Sequence, residues 1–359
     1  MKVAIVAQQM RQPVPGGIGT YINGLVHGLR SGHHDDLHVS FVASSAPGRT
    51  DPLASWGDVQ ASRWGRRALA ALWDRELIRP DPVADVLHAT SLVFPSLPRE
   101  SAAVATMFVH DVAWRTHPEF YPERGRAFHE RALTRAIASQ AALLVPSTAT
   151  ADALMWAGVE AARITVVGEG CDHLPLVPRR GDGTYLLAVS TREPRKNLPR
   201  LVEAYARIRM ELPEPWPLYI VGPKGWDDRS GRSALVDTGQ PGVELLGAVS
   251  DERLAELLAG ARTFVYVPLS EGFGLPPAEA MRAGVPVVAS PVPSISADVA
   301  CIVDPLDTDD IARGLLATST DEGARKALVS GGLEACRNLT WRASADAHVD
   351  VWTSLLDRR

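Results

Sequence analysis

The sequence has few cysteines and no long apolar run. Its three cysteines, Cys171, Cys301 and Cys336, are odd in number and far apart, which excludes a disulfide framework and offers no zinc-binding spacing. No apolar run approaches the roughly 18 residues that a membrane-spanning helix needs. The stretch Val3–Ala7 is too short for a signal peptide and predicts a buried strand. We therefore expect a protein of a reducing, cytoplasmic compartment.

Net charge and lysine content are also low. The net charge of −5 carries no signature of nucleic-acid binding, so no nucleic-acid partner is expected. Of the 37 basic residues only four are lysine, namely Lys2, Lys196, Lys224 and Lys326. Because lysine is so rare here, a lysine inside a motif is more informative than an arginine.

The length and the hydrophobic pattern predict two α/β domains. The chain has 359 residues, of which 46% are hydrophobic and 22% charged, and a domain typically holds about 100–200 residues. Short apolar strands alternate with amphipathic helices, which predicts parallel sheets covered on both faces. The predicted strands are Val3–Ala7, Val39–Ala43, Val86–His88, Ala103–Val109, Ala142–Val145, Tyr185–Val189, Leu218–Val221, Val243–Leu246, Thr263–Val267 and Val285–Ala289.

A segment rich in proline and glycine, Leu174–Thr184, separates the two halves of this pattern. We predict domains at residues 1–175 and 176–340, followed by a helix at 341–359. In the first domain a glycine-rich turn, Gly16–Gly19, precedes a helix whose apolar residues recur up to Leu29. In the second domain Leu198–Leu212 is a predicted helix with Asn197 as its N-cap.

The most specific motif runs from Glu271 to Glu279. It follows a predicted strand, and its two prolines and Gly284 bracket a predicted helix from about Pro276 to Ala283, with Glu279 in the first turn. Glycines 272 and 274 let backbone N–H groups approach a ligand closely, and the helix N-terminus favours a diphosphate. Without further context, an ordinary strand–loop–helix turn with two solvated glutamates remains an alternative interpretation.

The full string, Glu-x7-Glu with Gly-Phe-Gly-Leu-Pro inside, resembles the retaining glycosyltransferases of family 4. That family has the GT-B fold, an α/β architecture of two Rossmann-like, doubly wound domains facing a central cleft, and the resemblance covers nearly the whole chain. It implies that the C-terminal helix packs back on the N-terminal, acceptor-binding domain. Four further motifs are similar to the acceptor-side loop, the histidine-containing strand end, the phosphate-binding turn and the nucleobase loop, namely Gly16–Gly19, His110–Asp111, Glu193–Asn197 and Leu246–Asp251.

The resemblance also implies roles for single residues. Glu271 would contact the donor sugar hydroxyls, Phe273 and Gly274 would offer backbone amides, and Glu279 would bind the ribose hydroxyls. A carboxylate suits a diol because it accepts two hydrogen bonds at once. The catalytic candidates are His110, Arg195, Lys196 and Glu271. The donor-binding candidates are Gly17, Arg192, Val249, Gly272, Phe273, Gly274, Leu275 and Glu279, and those on the acceptor side are Gly16 and Asp111.

Arg195 and Lys196 follow the first strand of the second predicted domain. Preorganised cations there would stabilise the charge that develops on a departing diphosphate, without a metal ion. A solvated basic turn is the alternative. Ser190–Arg192 stands where many family members carry a glycine and often an arginine, so the choice of two phosphate ligands among Arg192, Arg195 and Lys196 stays open.

Other positions leave alternatives open. The loop Pro291–Asp298 is shorter than in many family members and lacks their proline–glutamate pair. Arg63–Trp73 is basic and amphipathic, so it is either an ordinary surface helix or a contact with the inner face of a membrane. His88 also ends a strand, and the sequence does not separate a functional from a structural role for it.

The expected function is retaining transfer of a hexose from a nucleotide-sugar, with GDP-mannose as the first guess. The acceptor would be a hydroxyl of a glycan, a lipid-linked or a small molecule. No cofactor is expected, because the nucleotide-sugar is a substrate, and no metal. The rivals are a nucleotide-sugar epimerase or phosphorylase and a non-enzymatic sugar-nucleotide binder. An NAD enzyme is disfavoured because Gly16–Gly19 lacks the Gly-x-Gly-x-x-Gly spacing.

Overall fold

The chain divides into two units, each with its own parallel sheet. The structure, a computed structural model, describes residues 1–34, 36–46, 51–80, 82–98, 100–179, 181–212, 215–225 and 239–358. The first unit comprises Met1–Gly170 and Trp341–Arg359, and the second comprises Cys171–Thr340. The boundary between the units along the chain follows Gly170 and so lies before the predicted boundary after residue 175. Residue 359, the last of the predicted C-terminal helix, lies outside the described residues.

Every strand pairing among the described residues is parallel. The first sheet has the order β3-β2-β1-β4-β5-β6-β7, and the second has the order β10-β9-β8-β11-β12-β13. The strands of the first sheet are β1 (Lys2–Val6), β2 (His38–Ala43), β3 (Val59–Ala61), β4 (Val86–Ala89), β5 (Val104–Phe108), β6 (Ala142–Val145) and β7 (Ile164–Val166). Those of the second are β8 (Leu186–Val189), β9 (Leu218–Val221), β10 (Val243–Gly247), β11 (Thr263–Tyr266), β12 (Val287–Ala289) and β13 (Cys301–Ile302).

Helices join most successive strands, which is the connection that parallel pairing requires. They are α1 (Gly16–Ser31), α2 (Arg66–Asp74), α3 (Ala113–Thr116), α4 (Glu123–Ala138), α5 (Thr148–Trp156), α6 (Leu198–Ile208), α7 (Asp251–Gly260), α8 (Leu275–Arg282), α9 (Thr308–Thr320), α10 (Glu322–Ala335) and α11 (Trp341–Asp357). Each predicted strand is present, with ends shifted by at most two residues. The sequence prediction missed β3, β7 and β13, because such short edge strands, none of whose residues is fully buried, carry a weak hydrophobic signal.

Two predictions about where helices begin were wrong in detail. Gly16–Gly19 is the first turn of α1 rather than a loop before it. Asn197 does precede α6, but its backbone is left-handed, with φ 58°, and its side chain caps no backbone N–H of the helix, since its Oδ1 atom accepts from the Arg200 guanidinium at 3.2 Å. The Asn197 amide instead donates to the carbonyl oxygens of Val267 (3.1 Å) and Pro305 (2.8 Å), so it ties the start of α6 to the end of β11.

Helix α11 packs against α1 at two glycines. A methyl group added at Gly24 would lie 2.0 Å from the Trp341 ring, and one at Gly28 would lie 2.1 Å from the Trp341 carbonyl oxygen. Trp341, which meets both glycines, is fully buried. The small residues of α1 therefore let the last helix of the chain lie directly on the first unit, to which it belongs.

Candidate active site

A buried carboxylate lies between two cations in the second unit. The Oε2 atom of Glu271 is 2.5 Å from Lys196 Nζ and 3.3 Å from Arg195 Nη1. The hydroxyl of Tyr266 donates to the same oxygen at 2.6 Å and accepts from Lys196 Nζ at 2.8 Å. The side chains of Lys196, Arg195 and Glu271 are only 11%, 12% and 14% exposed. These four side chains form one hydrogen-bonded cluster, which we call the Glu271 cluster.

The electrostatics of the Glu271 cluster favour an ionised carboxylate. Burial alone would raise the pKa of Glu271, but the charges of Lys196 and Arg195 and the hydrogen bonds from Lys196 and Tyr266 outweigh it and lower the pKa to about 2. The pKa of Tyr266 is raised well above its usual value, first by burial and then by the charge of Glu271. At neutral pH the cluster therefore holds an anion, two cations and a neutral phenol that donates to the anion.

The basic turn is anchored to the segment that carries Glu271. Pro194–Lys196 forms a single 3₁₀ turn, and the backbone N–H of Leu269 donates to the Arg195 carbonyl oxygen at 2.8 Å. The Arg195 guanidinium donates to the Ser270 carbonyl oxygen at 2.8 Å and pairs with Glu193 at 3.1 Å. The two segments follow β8 and β11, which are neighbouring parallel strands. Since the carboxyl ends of these strands lie at the same edge of the sheet, the two segments lie side by side.

The glycine loop after Glu271 is held by the shortened loop that follows β12. Gly274 has φ +99°, a conformation that glycine adopts without strain, and a methyl group there would lie 2.8 Å from Ser294 Oγ. Ser294 donates through its backbone N–H to the Phe273 carbonyl oxygen at 2.9 Å and through Oγ to the Gly274 carbonyl oxygen at 2.7 Å. In a planar trans peptide C=O and N–H point in opposite directions, so the amides of Gly274 and Leu275 point away from Ser294.

Glu279 lies in the second turn of α8, which corrects the prediction of the first turn. The helix begins at Leu275, with no acidic residue in its first turn, and places a proline where a backbone N–H needs no partner. Glu279 is buried, and its Oε1 atom lies 3.4 Å from Nε2 of His173.

In the first unit His110 follows β5, as predicted from its place at a strand end. Its Nε2 atom donates to the Thr90 carbonyl oxygen at 3.0 Å, and its Nδ1 atom lies 3.3 Å from Oε1 of the buried Glu169. The ring of Tyr21 packs edge-on against it at 5.0 Å between centroids. Asp111 accepts a hydrogen bond from the backbone N–H of Ala113 at 3.0 Å and so helps to start α3.

The remaining predicted residues occupy separate places in the two units. Gly16 and Gly17 open α1, and a methyl group at either would meet no atom within 4 Å. Arg192 is buried, and its backbone N–H donates to the Pro223 carbonyl oxygen at 3.3 Å. Val249 packs against the core of the second unit from the loop between β10 and α7.

The apolar face of the amphipathic segment 63–73 is buried in the core of the first unit. Leu69 and Trp73 of α2 are 1% and 2% exposed and belong to the core of the first unit. This burial accounts for the amphipathic pattern of α2. Of the helices that the structure describes, none combines the length and the apolarity needed to cross a bilayer.

Comparison with known proteins places these features in a family. Residues 15–173 match the model described as Glycosyltransferase Family 4, and residues 177–334 match the model described as Glycosyl transferases group 1. The chain is 30% identical to the O-antigen chain mannosyltransferase B of Escherichia coli, over 99% of this chain and 100% of that protein. The chain belongs to glycosyltransferase family 4. This family 4 chain is also 30% identical, over 60% of its length and 54% of the relative, to an MMP alpha-(1->4)-mannosyltransferase of Mycolicibacterium hassiacum.

Solved structures establish the fold of this family 4 glycosyltransferase. The sucrose-phosphate synthase of Thermosynechococcus elongatus matches with a TM-score of 0.81 and 18% identity over 100% of both chains. HepE of Anabaena, in complex with UDP and glucose, matches with a TM-score of 0.74 and 16% identity over 99% of this chain and 100% of that one. The predicted GT-B fold is thereby confirmed, as is the assignment to the glycosyltransferases with mannosyltransferase relatives.

The structure of the family 4 glycosyltransferase brings some predicted residues together and adds others. Glu271, Arg195 and Lys196 form one cluster, as the motifs suggested. Sequence reasoning missed their partner Tyr266, and it missed Ser294, Glu169 and His173. A usable signal existed only for His173, which is the single histidine between residues 171 and 340.

Proposed function

We propose that this family 4 glycosyltransferase is a retaining, metal-independent mannosyltransferase that uses GDP-mannose. The observation that carries the proposal is the Glu271 cluster, in which an ionised carboxylate pairs with two cations and accepts a hydrogen bond from a phenol. A nucleotide-sugar presents a diphosphate next to a sugar ring that carries several hydroxyl groups. Cations and a hydrogen-bond-accepting carboxylate, adjacent to one another, match those two parts.

In the proposed mechanism the donor diphosphate competes with Glu271 for the cations. Lys196 moves its charge to the diphosphate, and Glu271 then accepts hydrogen bonds from the sugar hydroxyls. Within the described residues, Lys196 gives two of its three ammonium protons, to Tyr266 and Glu271, so one remains for a phosphate oxygen. Arg195 and Lys196 then stabilise the charge that grows on the leaving diphosphate, which is the role that a metal ion would otherwise have.

The glycine loop and Glu279 are proposed to hold the rest of the donor. The amides of Gly274 and Leu275, which point away from Ser294, would donate to the diphosphate or the sugar. Glu279 would accept hydrogen bonds from both ribose hydroxyls. Gly272, Phe273, Val249, Arg192 and Gly17 keep the donor-binding roles that the family resemblance implies, and the nucleotide-sugar is a substrate rather than a resident cofactor.

Bond exchange in the proposed reaction occurs on one face of the sugar. The acceptor oxygen forms a bond to the anomeric carbon as the bond to the diphosphate oxygen breaks, and the acceptor proton passes to that diphosphate oxygen. Glu271 acts by positioning rather than as a nucleophile. In the first unit His110 keeps the catalytic role, and Gly16 and Asp111 the acceptor-side role, that the family resemblance implies. The acceptor is a hydroxyl of a glycan, a lipid-linked or a small molecule.

The proposed sugar follows from the relatives. Two of them, from Escherichia coli and Mycolicibacterium hassiacum, are named as mannosyltransferases, and each shares 30% of its matched residues with this chain. HepE, with 16% identity, was solved with UDP and glucose. GDP-mannose therefore ranks before UDP-glucose, UDP-N-acetylglucosamine and dTDP-rhamnose as the donor to be tested first.

A donor panel followed by product analysis tests the proposal. Melting curves are recorded with each of the four nucleotide-sugars, and the donor, at a hundredfold excess over its Kd, should stabilise the protein by about 2.7 kcal/mol. Incubation of the preferred donor with mannose-terminated glycans should add one hexose to the acceptor, with the anomeric configuration retained by NMR. Donor consumption without a mass increment on an acceptor would indicate an epimerase or phosphorylase. Binding without release of a nucleoside diphosphate would indicate a sugar-nucleotide binder.

A further inference from the structure

His173 lies in a short segment that is fixed on both sides. The backbone N–H of Cys171 donates to the Leu339 carbonyl oxygen at 2.9 Å. Two residues past Cys171 stands His173, and the next carbonyl oxygen, that of Leu174, accepts from Arg282 Nη1 at 3.3 Å. The backbone that carries His173 is therefore held between the end of the second unit and helix α8.

Helix α8 contacts this segment through one face. Residues three positions apart in an α-helix lie on the same side, so Glu279 and Arg282 are neighbours on the helix surface. Arg282 contacts the backbone of Leu174 while Glu279 faces the ring of His173 at 3.4 Å. The His173 side chain is 15% exposed and that of Glu279 is 7% exposed. The pair is thus largely removed from solvent and supported from both sides.

The protonation of His173 suits it as a donor to this carboxylate. Burial lowers the pKa of His173 more than the nearby charges of Asp251 and Asp172 raise it. The ring is therefore neutral at pH 7 and carries a single N–H. Nε2 faces the carboxylate oxygen at 3.4 Å, so a proton on Nε2 lets His173 donate without neutralising the charge of Glu279.

We propose that His173 is a positioning residue that orients the Glu279 carboxylate toward the ribose of the donor and so sets the preference for ribose over 2′-deoxyribose. This assignment rests on the proposed function, in which Glu279 accepts the ribose hydroxyls. A carboxylate offers about four acceptor positions. A hydrogen bond from His173 fixes the plane of the carboxylate, and with it the direction from which a diol is bound.

Binding of four nucleotides to the full-length protein tests the proposal. Calorimetry with GDP, 2′-deoxy-GDP, UDP and 2′-deoxy-UDP gives the ratio of ribose to deoxyribose affinity for the wild type, His173→Leu and His173→Gln. A hydrogen-bonded hydroxyl contributes on the order of tenfold. We expect a ratio of about tenfold in the wild type, about twofold or less in His173→Leu, and recovery in His173→Gln, whose Nε2 donates as the imidazole does.

Kinetics with the preferred nucleotide-sugar provide a second readout. His173→Leu should raise the donor KM about tenfold and change kcat by less than about threefold, because the ribose does not take part in bond exchange. Glu334→Gln, a change at an exposed residue of α10, is the matched control and should alter neither value. Melting curves establish that each variant is folded.

The outcomes separate the two levels of the argument. An unchanged ribose preference in folded His173→Leu, with wild-type turnover intact, would overturn the role of His173 alone. A loss in kcat with no change in KM or in ribose preference would overturn it as well. If the wild type neither binds nor turns over any nucleotide-sugar, the proposed function fails, and the assignment of His173 fails with it.

Discussion

Tyr21 and His348, 327 residues apart in the sequence, share a hydrogen bond of 2.8 Å inside the first unit. His348 Nδ1 faces the Ser344 carbonyl oxygen at 2.7 Å, which only accepts, so the His348 N–H lies on Nδ1 and Nε2 accepts from Tyr21. Tyr21 must then accept from Nε2 of His88 at 2.9 Å, and His88 Nδ1 accepts from the Thr106 hydroxyl at 2.9 Å. Each hydrogen bond of this series therefore has the same donor-to-acceptor direction. The series links α11 to α1 and to the two central strands β4 and β5.

The direction of these hydrogen bonds predicts that the first unit is sensitive to acid. Burial lowers the pKa of His348 to about 4, although the hydrogen bond that it donates to the Ser344 carbonyl oxygen raises it, and the pKa of His88 is also lowered, mainly by burial. An unfolded histidine titrates near roughly 6.5, so the stabilisation is complete above that pH and is lost as the pH falls toward 4. For His348 alone the loss approaches roughly 3 kcal/mol.

Melting curves between pH 7.5 and pH 4.5 measure this dependence. We expect the midpoint to fall steeply below pH 6.5 in the wild type and less steeply in His348→Gln, provided that this variant is folded at pH 7.5. His33→Gln, at an exposed position, should keep the wild-type slope. Equal slopes for the wild type and His348→Gln would contradict the argument.

Gly24→Ala should destabilise the first unit. The added methyl group would lie 2.0 Å from the Trp341 ring, so α11 must move away from α1. Overpacking of a core contact costs typically about 1–3 kcal/mol, and we expect the free energy of unfolding in urea to fall by about that amount. Gly65→Ala, where an added methyl meets no atom within 4 Å, should leave it within about 0.5 kcal/mol.

Glu271→Gln should separate catalysis from nucleotide binding. The variant removes the charge that Lys196 and Arg195 share, so both cations become fully available to a diphosphate. We expect kcat to fall by about 10²-fold or more, while GDP binds at least as tightly as in the wild type. Transfer assays and calorimetry measure the two effects, with Glu334→Gln as the control. Retention of full transfer activity would rule out the role proposed for Glu271.

Lys196→Met should act on both properties in the same direction. It removes the cation that lies 2.5 Å from Glu271 and is proposed to contact the diphosphate. GDP affinity should fall about tenfold and kcat about 10²-fold. Lys326→Met, a change at an exposed lysine of α10, controls for the loss of one positive charge. If both variants bind GDP equally well, Lys196 does not contact the diphosphate.

Motifs that are short in sequence were sufficient to predict the fold class and the family. The alternation of apolar strands and helices reflects hydrogen bonding and burial that each segment needs locally, so it is readable one segment at a time. Glu271 and Glu279 stand in one motif, and Arg195 and Lys196 are adjacent. Element ends and the N-cap role of Asn197 were wrong because neighbours from elsewhere in the chain override local preference. The short edge strands were missed because their hydrophobic signal is weak.

The partners of these residues follow only from the folded chain. Lys196 meets Glu271 75 positions later because their strands, β8 and β11, are hydrogen-bonded neighbours that end at the same edge of the sheet. His173 meets Glu279, and Tyr21 meets His348, through packing that brings remote segments together. Short local motifs are sufficient to recognise the residue types that can bind a sugar nucleotide. Which of them share a proton or a charge depends on sheet order and helix contact, since both join residues whose separation along the chain carries no pattern.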